Sequence, residues 1–152
     1  MLVICWGENL STKNKIHLQL EYENNWIDHP LYCEVKVDNR LVHLDLSGQK
    51  NVSINKKIVL EGKNHTLSIR MYNKDNRNVS IKDNQIVQDS FIKIKNVFID
   101  QINITSLAVL SSDLVTDDGT LRQKAGALHI NGVWNFKFDT PVYEWLLQEM
   151  YG

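Results

Sequence analysis

The residues best suited to chemistry form the segment NKDNRN, residues 73–78, in which every side chain is polar or charged. Asn73 and Asp75 place side-chain oxygens at alternate positions of this segment. Calcium binds about six to eight oxygen ligands at about 2.3–2.6 Å in proteins. The segment is therefore a candidate calcium loop, and calcium is the one cofactor that the sequence suggests.

The segment departs from the best-known calcium loop in three ways. Arg77 occupies the position of a third ligand, Asn84 stands where an EF-hand has a bidentate Glu, and no Gly occupies the sharp turn. An EF-hand is therefore excluded. A looser site remains, and the alternative is a solvated turn held by Asn and Asp side chains. The candidate ligands are Asn73, Asp75, Asn76, Asp83 and Asp89.

A second candidate site is an aromatic platform for sugar stacking in YENNWIDHP, residues 22–30. Trp26 supplies the platform, and Tyr22 and Asp28 are the other candidate glycan contacts. Aromatic rings combine an apolar face with a polar edge, which suits them to such contacts. The alternative is that Trp26 covers one end of the folded domain.

Catalytic motifs give no comparable signal. The sequence contains no G-x-S-x-G elbow, phosphate-binding loop or dinucleotide fingerprint. Carboxylate pairs for glycoside cleavage follow no local pattern, so sequence alone does not exclude them. We predict that the protein is not an enzyme.

Composition limits the classes of partner. The formal charge is −1 over 152 residues, so no global field favours nucleic acid or a membrane. The N-terminal stretch MLVICW lacks a basic n-region and is too short for a signal peptide or a membrane span. We therefore expect synthesis in the cytoplasm, with Cys5 and Cys33 as reduced, packed thiols.

Period-two alternation predicts strands along most of the chain. In IHLQLEY, Ile16 begins an inward series that ends at Tyr22. CEVKVDNRLVHLDL predicts a hairpin about Asp38-Asn39, in which Cys33, Val35 and Val37 face Val42, Leu44 and Leu46. Residues 90–104 are too long for one regular strand, and their shifting inward positions predict two bends or bulges.

The C-terminal third combines a loop, a hairpin and a helix. Residues 111–126 lose the alternation and are predicted to be the longest loop. Asn131-Gly132 predicts a hairpin whose second strand buries Trp134, Phe136 and Phe138. Residues 139–151 predict a short helix that Thr140 caps. Together these features predict an all-β fold, a jelly-roll-like β-sandwich with a short C-terminal helix, in a single domain of residues 1–152.

The order of these segments resembles a known structural domain. The strand HTLSIRMYNK and the final segment GVWNFKFDTPVYEWL are similar to motifs of a β-sandwich domain in structural proteins of tailed bacteriophages. The resemblance extends over about residues 28–151. It implies a virion component, on the capsid or tail, rather than an enzyme.

The central part of the chain is also similar to calcium-dependent xylan-binding modules, which are jelly-roll sandwiches. The resemblance rests on HTLSIRMYN followed by a polar loop and then by a strand of the type IKIKNVFI. Here ten additional residues, SIKDNQIVQD, separate the loop from that strand, and the compact acidic motif of the modules is missing.

We therefore predict a non-enzymatic structural or decoration protein of a phage particle, located in the virion and assembled with copies of itself or with other virion proteins. The amphipathic C-terminus is the predicted assembly interface. The alternative is a calcium-dependent glycan-binding module that recognises a host surface. The candidate interface residues are Tyr143, Trp145, Leu146, Met150 and Tyr151.

Overall fold

The computed structural model describes residues 13–152, and within this range the strands form two large antiparallel sheets and one separate hairpin. The first sheet contains, in spatial order, β12 (Ala127–Leu128), β8 (Phe91–Ile99), β1 (Lys13–Asn25) and β4 (Asn51–Glu61), with β9 (Ile102–Asn103) also paired to β8. The second sheet contains, in spatial order, β11 (Leu121–Gln123), β10 (Asp113–Thr116), β13 (Gly132–Asp139), β5 (Asn64–Tyr72), β2 (Tyr32–Val37) and β3 (Arg40–Asp45). The separate hairpin consists of β6 (Val79–Lys82) and β7 (Gln85–Asp89).

Two helices complete the described elements. Helix α1 (Thr105–Leu110) follows β9, and helix α2 (Val142–Tyr151) ends the chain. Both contact β13, and α1 also contacts β8. The predicted all-β sandwich with a short C-terminal helix is confirmed.

The core lies between the two large sheets, because each strand buries alternate side chains. On β1 the buried residues are Ile16, Leu18, Leu20 and Tyr22, as the sequence predicts. On β13 they are Trp134, Phe136 and Phe138, which are at most 2% exposed. These two strands belong to different sheets, so their inward faces meet across the core.

The predicted hairpin about Asp38-Asn39 is confirmed, and both residues have positive φ, 50° and 65°. Of the three residues predicted to face inward from this second strand, Val42 packs against the core, whereas Leu44 and Leu46 do not. The register shifts between Val35 and Lys36, because Val42 is an additional residue on β3. An additional residue moves the following side chains to the opposite face of the sheet. Leu44 and Leu46 are therefore 44% and 52% exposed.

Residues 90–104 contain one bulge and one tight turn. Lys95 is the additional residue of the bulge, since Ile94 pairs with Tyr22 and Asn96 pairs with Glu21. A turn at Asp100 and Gln101 then folds β9 back onto β8. The two predicted irregularities are therefore present, the second as a reversal of the chain.

Residues 111–126 are not one loop, which corrects the prediction. They contain β10 and β11, which form a hairpin whose turn includes Gly119 at φ 89°. Hydrogen bonds from Thr116 and from the backbone and side chain of Thr120 lower the pKa of Asp118 to about 2. The Asp118 carboxylate therefore accepts hydrogen bonds within its own turn.

The predicted hairpin at Asn131-Gly132 is also wrong. Strand β12 pairs with β8 in the first sheet, whereas β13 pairs with β5 and β10 in the second sheet. Residues 129–131 therefore cross from one sheet to the other. The turn chemistry of Asn-Gly is compatible with both connections, and only the pairing partners distinguish them.

The C-terminal helix begins at Val142, three residues later than predicted, and Thr140 does not cap it. The Thr140 hydroxyl accepts a hydrogen bond from Asn14 at 2.9 Å, and Pro141 is the residue that precedes the helix. Within residues 13–152, no helix is long and apolar enough to span a membrane.

Candidate functional site

Asp75, one of the predicted metal ligands, caps a single 3-10 turn formed by Asn76–Asn78. Its Oδ1 accepts a hydrogen bond from the Arg77 backbone N–H at 2.9 Å, and Arg77 Nη2 lies 2.7 Å from Oδ2. His29 Nε2 lies 3.0 Å from Oδ1. Hydrogen bonds from the Arg77 side chain and backbone hold the pKa of Asp75 well below its ordinary value. The carboxylate therefore has its counter-ion within the chain.

The second carboxylate, Asp89, is neutralised by Lys74. Lys74 Nζ lies 2.6 Å from Asp89 Oδ1, and His129 Nδ1 lies 3.2 Å from Oδ2. Burial alone would raise the pKa of Asp89, but the hydrogen bonds from Lys74 and His129 outweigh it and lower the pKa. Asp75 and Asp89 are thus held by two different cationic side chains.

The other three predicted ligands do not complete a metal site. Asn73 donates its side-chain N–H to the Pro30 carbonyl at 3.0 Å. Asn76 is an exposed residue of the 3-10 turn, and Asp83 lies in the β6–β7 turn at φ 52°. Residues 13–152 contain no group of three or more His, Cys, Asp or Glu side chains that could hold a metal. In the described residues three of the five predicted ligands make side-chain contacts within the chain, and calcium binding at this loop stays a prediction.

Hydrogen bonds from buried polar side chains connect the loops at this end of the sandwich. Asn78, fully buried, donates to the carbonyls of Ile27 and His29, each at 2.8 Å. The Ser90 hydroxyl accepts a hydrogen bond from the Ile27 backbone N–H at 2.8 Å. These bonds join the loop after β1 to the 3-10 turn and to the start of β8.

Trp26 packs at the same end and covers the core, as the alternative interpretation predicts. Its indole N–H donates to the Gly48 carbonyl at 2.7 Å, and Lys50 Nζ lies 3.8 Å from the ring centroid. One face of the ring is thus covered by the chain's own ammonium group.

The two other predicted glycan contacts, Tyr22 and Asp28, do not form an aromatic platform with Trp26. Tyr22 is 1% exposed, and its hydroxyl lies 3.2 Å from His43 Nε2, so its ring cannot stack on an external sugar. This corrects the prediction, and the cause is the period of β1, which turns Tyr22 into the core. Asp28 is exposed at φ 69° in the loop after β1.

A different surface brings together polar and aromatic side chains: the outer face of the second sheet. Its cleft of about 430 Å³ has a floor built by β2, β5 and β13. The register places Glu34 beside Arg70, and it places Ser68 between Lys36 and Asn135. The lining residues are Glu34, Lys36, Asn39, Ser68, Arg70, Asp117, Val133 and Asn135.

Contacts among these residues hold the cleft in place. The Ser68 hydroxyl donates to Asn135 Oδ1 at 2.7 Å, and Lys36 Nζ lies 3.3 Å from Glu34 Oε1. Two acidic and two basic side chains contribute to the lining, so their formal charges balance. The cleft offers hydrogen-bond donors and acceptors without a net charge.

Two tyrosines extend this surface. Tyr32 and Tyr72 pack edge to face with ring centroids 5.4 Å apart. The Arg70 guanidinium carbon lies 4.7 Å from the Tyr72 ring centroid, so Arg70 connects the tyrosine pair to the cleft. Both tyrosines are partly exposed on the outer face.

The predicted assembly residues fall on two sides of α2. Trp145 and Leu146 pack against the core, and the Trp145 ring lies 5.9 Å from that of Phe136. Tyr143, Met150 and Tyr151 are 64%, 68% and 80% exposed. Two of the five candidate interface residues therefore lie on the side of the helix that packs on the core, and three lie on its exposed side.

His65 connects an acid and a hydroxyl in the order of a catalytic triad, but the group is enclosed. His65 Nδ1 lies 2.7 Å from Asp38 Oδ2, and Nε2 lies 3.0 Å from Thr140 Oγ1. His65 and Thr140 are only 3% and 4% exposed. A nucleophile has to reach its substrate, so these contacts join three turns rather than form an active site.

Comparisons with known proteins identify the fold. No protein-family model and no curated protein matches the chain. One similar structure is the selenomethionine form of vCBM60, which is described with two families of calcium-dependent carbohydrate-binding modules linked by circular permutation. It aligns at a TM-score of 0.52 and 10% identity, over 80% of this chain and 89% of that chain. vCBM60 in complex with galactobiose aligns at a TM-score of 0.49 and 10% identity, over 81% of this chain and 97% of that chain.

The first match confirms the predicted fold of a carbohydrate-binding module. The absence of catalysis stays a prediction for this chain. Neither description mentions a phage particle, so the virion assignment also stays a prediction.

Sequence reasoning missed the cleft residues, although a signal for them was present. Glu34 and Lys36 are the outward positions of YCEVKV, and Ser68 and Arg70 are those of LSIRMY. The same alternation that predicts the core therefore marks these positions as outward. Their meeting on one face depends on the pairing of β2 with β5, which the sequence does not show.

Proposed function

We propose that the protein is a non-catalytic glycan-binding module whose ligand lies across the outer face of the second sheet. The observation that carries this proposal is the cleft of about 430 Å³, in which polar side chains with balanced charges border a tyrosine pair. Ligand sites commonly combine a concave surface with a few convergent polar groups. The sandwich fold supports the proposal, since the vCBM60 structure is described as a carbohydrate-binding module.

Each group of the cleft has a role that suits a neutral sugar. Arg70 donates N–H groups and Glu34 accepts hydrogen bonds from hydroxyls, whereas Asn135 can do both. Arg70 lies over one face of the Tyr72 ring, and the remaining exposed part of the tyrosine pair is proposed to contact the apolar face of a pyranose ring. Because the formal charges of the lining balance, we expect a neutral oligosaccharide rather than a polyanion.

The test is a glycan array followed by calorimetry of the best ligand with Arg70→Ala and Tyr72→Ala. We expect each change to weaken binding about tenfold or more, which corresponds to about 1.4 kcal/mol. Arg122→Ala is the matched control, because Arg122 is an exposed arginine of the same sheet outside the cleft lining. Equal weakening by Arg122→Ala, or no array signal at about millimolar affinity, would contradict the proposal.

Assembly, which the predicted virion role requires, is the second candidate, and the exposed side of α2 favours self-association. Tyr143, Leu147, Met150 and Tyr151 recur at helical spacing and are 40–80% exposed. Exposed aromatic and Met side chains are enriched at protein interfaces. We propose a second copy of the chain as the partner of this stripe, with host-glycan binding as a compatible role on the particle.

Light scattering after size exclusion tests the assembly role. If the stripe forms an oligomer, Met150→Ser should convert it to monomer, whereas Ile86→Ser, at a similarly exposed apolar residue of the β6–β7 hairpin, should not. A wild-type chain that stays monomeric at high concentration would contradict this second candidate.

A further inference from the structure

The end of the sandwich that the sequence marks as a calcium loop contains a cation of its own, the ammonium group of Lys74. Lys74 Nζ donates to Asp89 Oδ1 at 2.6 Å, to the Ser90 carbonyl at 2.7 Å and to the His129 carbonyl. A lysine ammonium has three N–H donors, and each has an oxygen acceptor here. The Lys74 side chain is only 10% exposed.

The backbone of Lys74 is fastened as well. Its N–H donates to Asn131 Oδ1 at 3.0 Å, and its carbonyl accepts from Asn131 Nδ2 at 2.9 Å. Lys74 therefore joins three separate segments: the loop after β5, the start of β8 and the crossing from β12 to β13. Carboxylate and main-chain carbonyl oxygens from separate segments are the donor types that calcium uses.

We infer that the Lys74 ammonium takes the structural place of a divalent cation at this end of the fold, so that the protein needs no calcium. Asp89, Ser90 and His129 supply the oxygens that it neutralises and joins. The second carboxylate of the region, Asp75, also has a cation of the chain beside it, since Arg77 Nη2 lies 2.7 Å from Asp75 Oδ2. The protein differs in this respect from vCBM60, which is described among calcium-dependent modules.

A protein that needs no calcium should be insensitive to chelator in two separate measurements, thermal unfolding and glycan binding. The thermal midpoint of unfolding should be the same in millimolar calcium and in excess chelator, because the Lys74 ammonium already contacts the oxygens that an ion would bind at this end of the fold. Binding of a glycan should also be unaffected by chelator, a consequence that rests on the proposed function. If the array finds no ligand, the proposed function fails and the melting comparison still decides the inference.

Thermal unfolding of the wild type in calcium and in chelator is the first measurement. An ion held at about a hundredfold above its dissociation constant would shift the midpoint by several degrees for a chain of this size. We expect no shift. A calcium-dependent rise of several degrees would overturn the inference, and this result does not depend on any variant folding.

Lys74→Met then tests whether the ammonium fastens the loops. The change keeps an unbranched side chain but leaves the Asp89 carboxylate without its ion pair, so we expect the midpoint to fall by several degrees. Lys93→Met is the control, since Lys93 is exposed on β8. Equal midpoints for the two variants would overturn the inference.

Discussion

Asp45 stabilises the turn between β3 and β4 through four hydrogen bonds to one carboxylate. Its Oδ1 accepts from the Ser47 backbone at 2.8 Å, the Ser47 hydroxyl at 2.7 Å and the Gly48 backbone at 3.2 Å, and Oδ2 accepts from Gln49 at 2.9 Å. Asp45 is 6% exposed, so Asp45→Ala would leave several donors unpaired. We expect a loss of about 3 kcal/mol in the free energy of unfolding, measured by urea titration.

A second substitution at Asp45 tests how the free energy of unfolding depends on pH. Burial would raise the pKa of Asp45, but hydrogen bonds from Ser47, Gln49 and Gly48 outweigh it and lower the pKa. A carboxylate with a lowered folded-state pKa contributes stability above its ordinary pKa, and this contribution is lost as pH falls through the folded-state value. Asp45→Asn should therefore reduce the loss of stability below about pH 4. An unchanged acid profile would show that other carboxylates dominate it.

Cys33 is a buried free thiol, and its burial predicts low reactivity. Desolvation raises its pKa to about 12 despite the hydrogen bond from Tyr22, which acts in the opposite direction. Since the thiolate is the nucleophile, we expect Cys33 to react with iodoacetamide only after unfolding, as peptide mass spectrometry would show. Rapid labelling of Cys33 in the native protein would contradict its burial. Cys5 lies outside the described residues.

Helix α2 is the element whose removal separates a core role from an assembly role. Val142 is 1% exposed, and Trp145 packs on Phe136, so a chain ending at Asp139 loses buried apolar contacts. We expect that truncation to cost about 2–5 kcal/mol, a large fraction of the stability of a typical domain, and to lower the thermal midpoint markedly. Gln148→Ala, at an exposed position of the same helix outside the proposed interface, should leave it unchanged. A truncated chain with the wild-type midpoint would show that the helix is dispensable for folding.

The sequence predicts the buried face of a strand correctly where the alternation of that strand's own residues determines the face. Ile16 and Tyr22 begin and end such a series on β1, and both are buried. Leu44 was not predictable, because one additional residue on β3 reverses its orientation. Asn131-Gly132 was misleading for a related reason: a tight turn looks the same whether the next strand joins its predecessor or crosses to the other sheet. Local residue types determine a turn, and tertiary pairing determines what the turn connects.

At the scale of the whole molecule, the sandwich separates an end region held by internal ion pairs from a sheet face that presents polar groups to solvent. The sequence directed attention to the end region, because NKDNRN is a contiguous polar segment. Within that segment Arg77 pairs with Asp75, whereas Lys74 donates to Asp89 and to the His129 carbonyl, which lie 15 and 55 positions away. The cleft is likewise built from three strands, none of which is unusual by itself. Both features depend on the closed fold, and no local pattern contains them.

The balanced charge of the molecule and of its cleft predicts that ligand binding is insensitive to salt. The chain carries a formal charge of −1, and the cleft lining contributes two acidic and two basic side chains. Raising the salt from about 50 mM to about 500 mM shortens the Debye length several-fold, which weakens exposed charge–charge attraction but leaves hydrogen bonds and ring stacking largely unaffected.

We therefore expect the dissociation constant of a neutral oligosaccharide, measured by calorimetry, to change less than about twofold over that range. Heparin is the control polyanion, and its binding should be weak at low salt and lost at high salt. A steep salt dependence of the best glycan, abolished by Arg70→Ala, would instead identify an acidic sugar as the ligand. The cleft would then bind an anion through Arg70, and the expectation of a neutral ligand would be wrong, although glycan binding itself would stand.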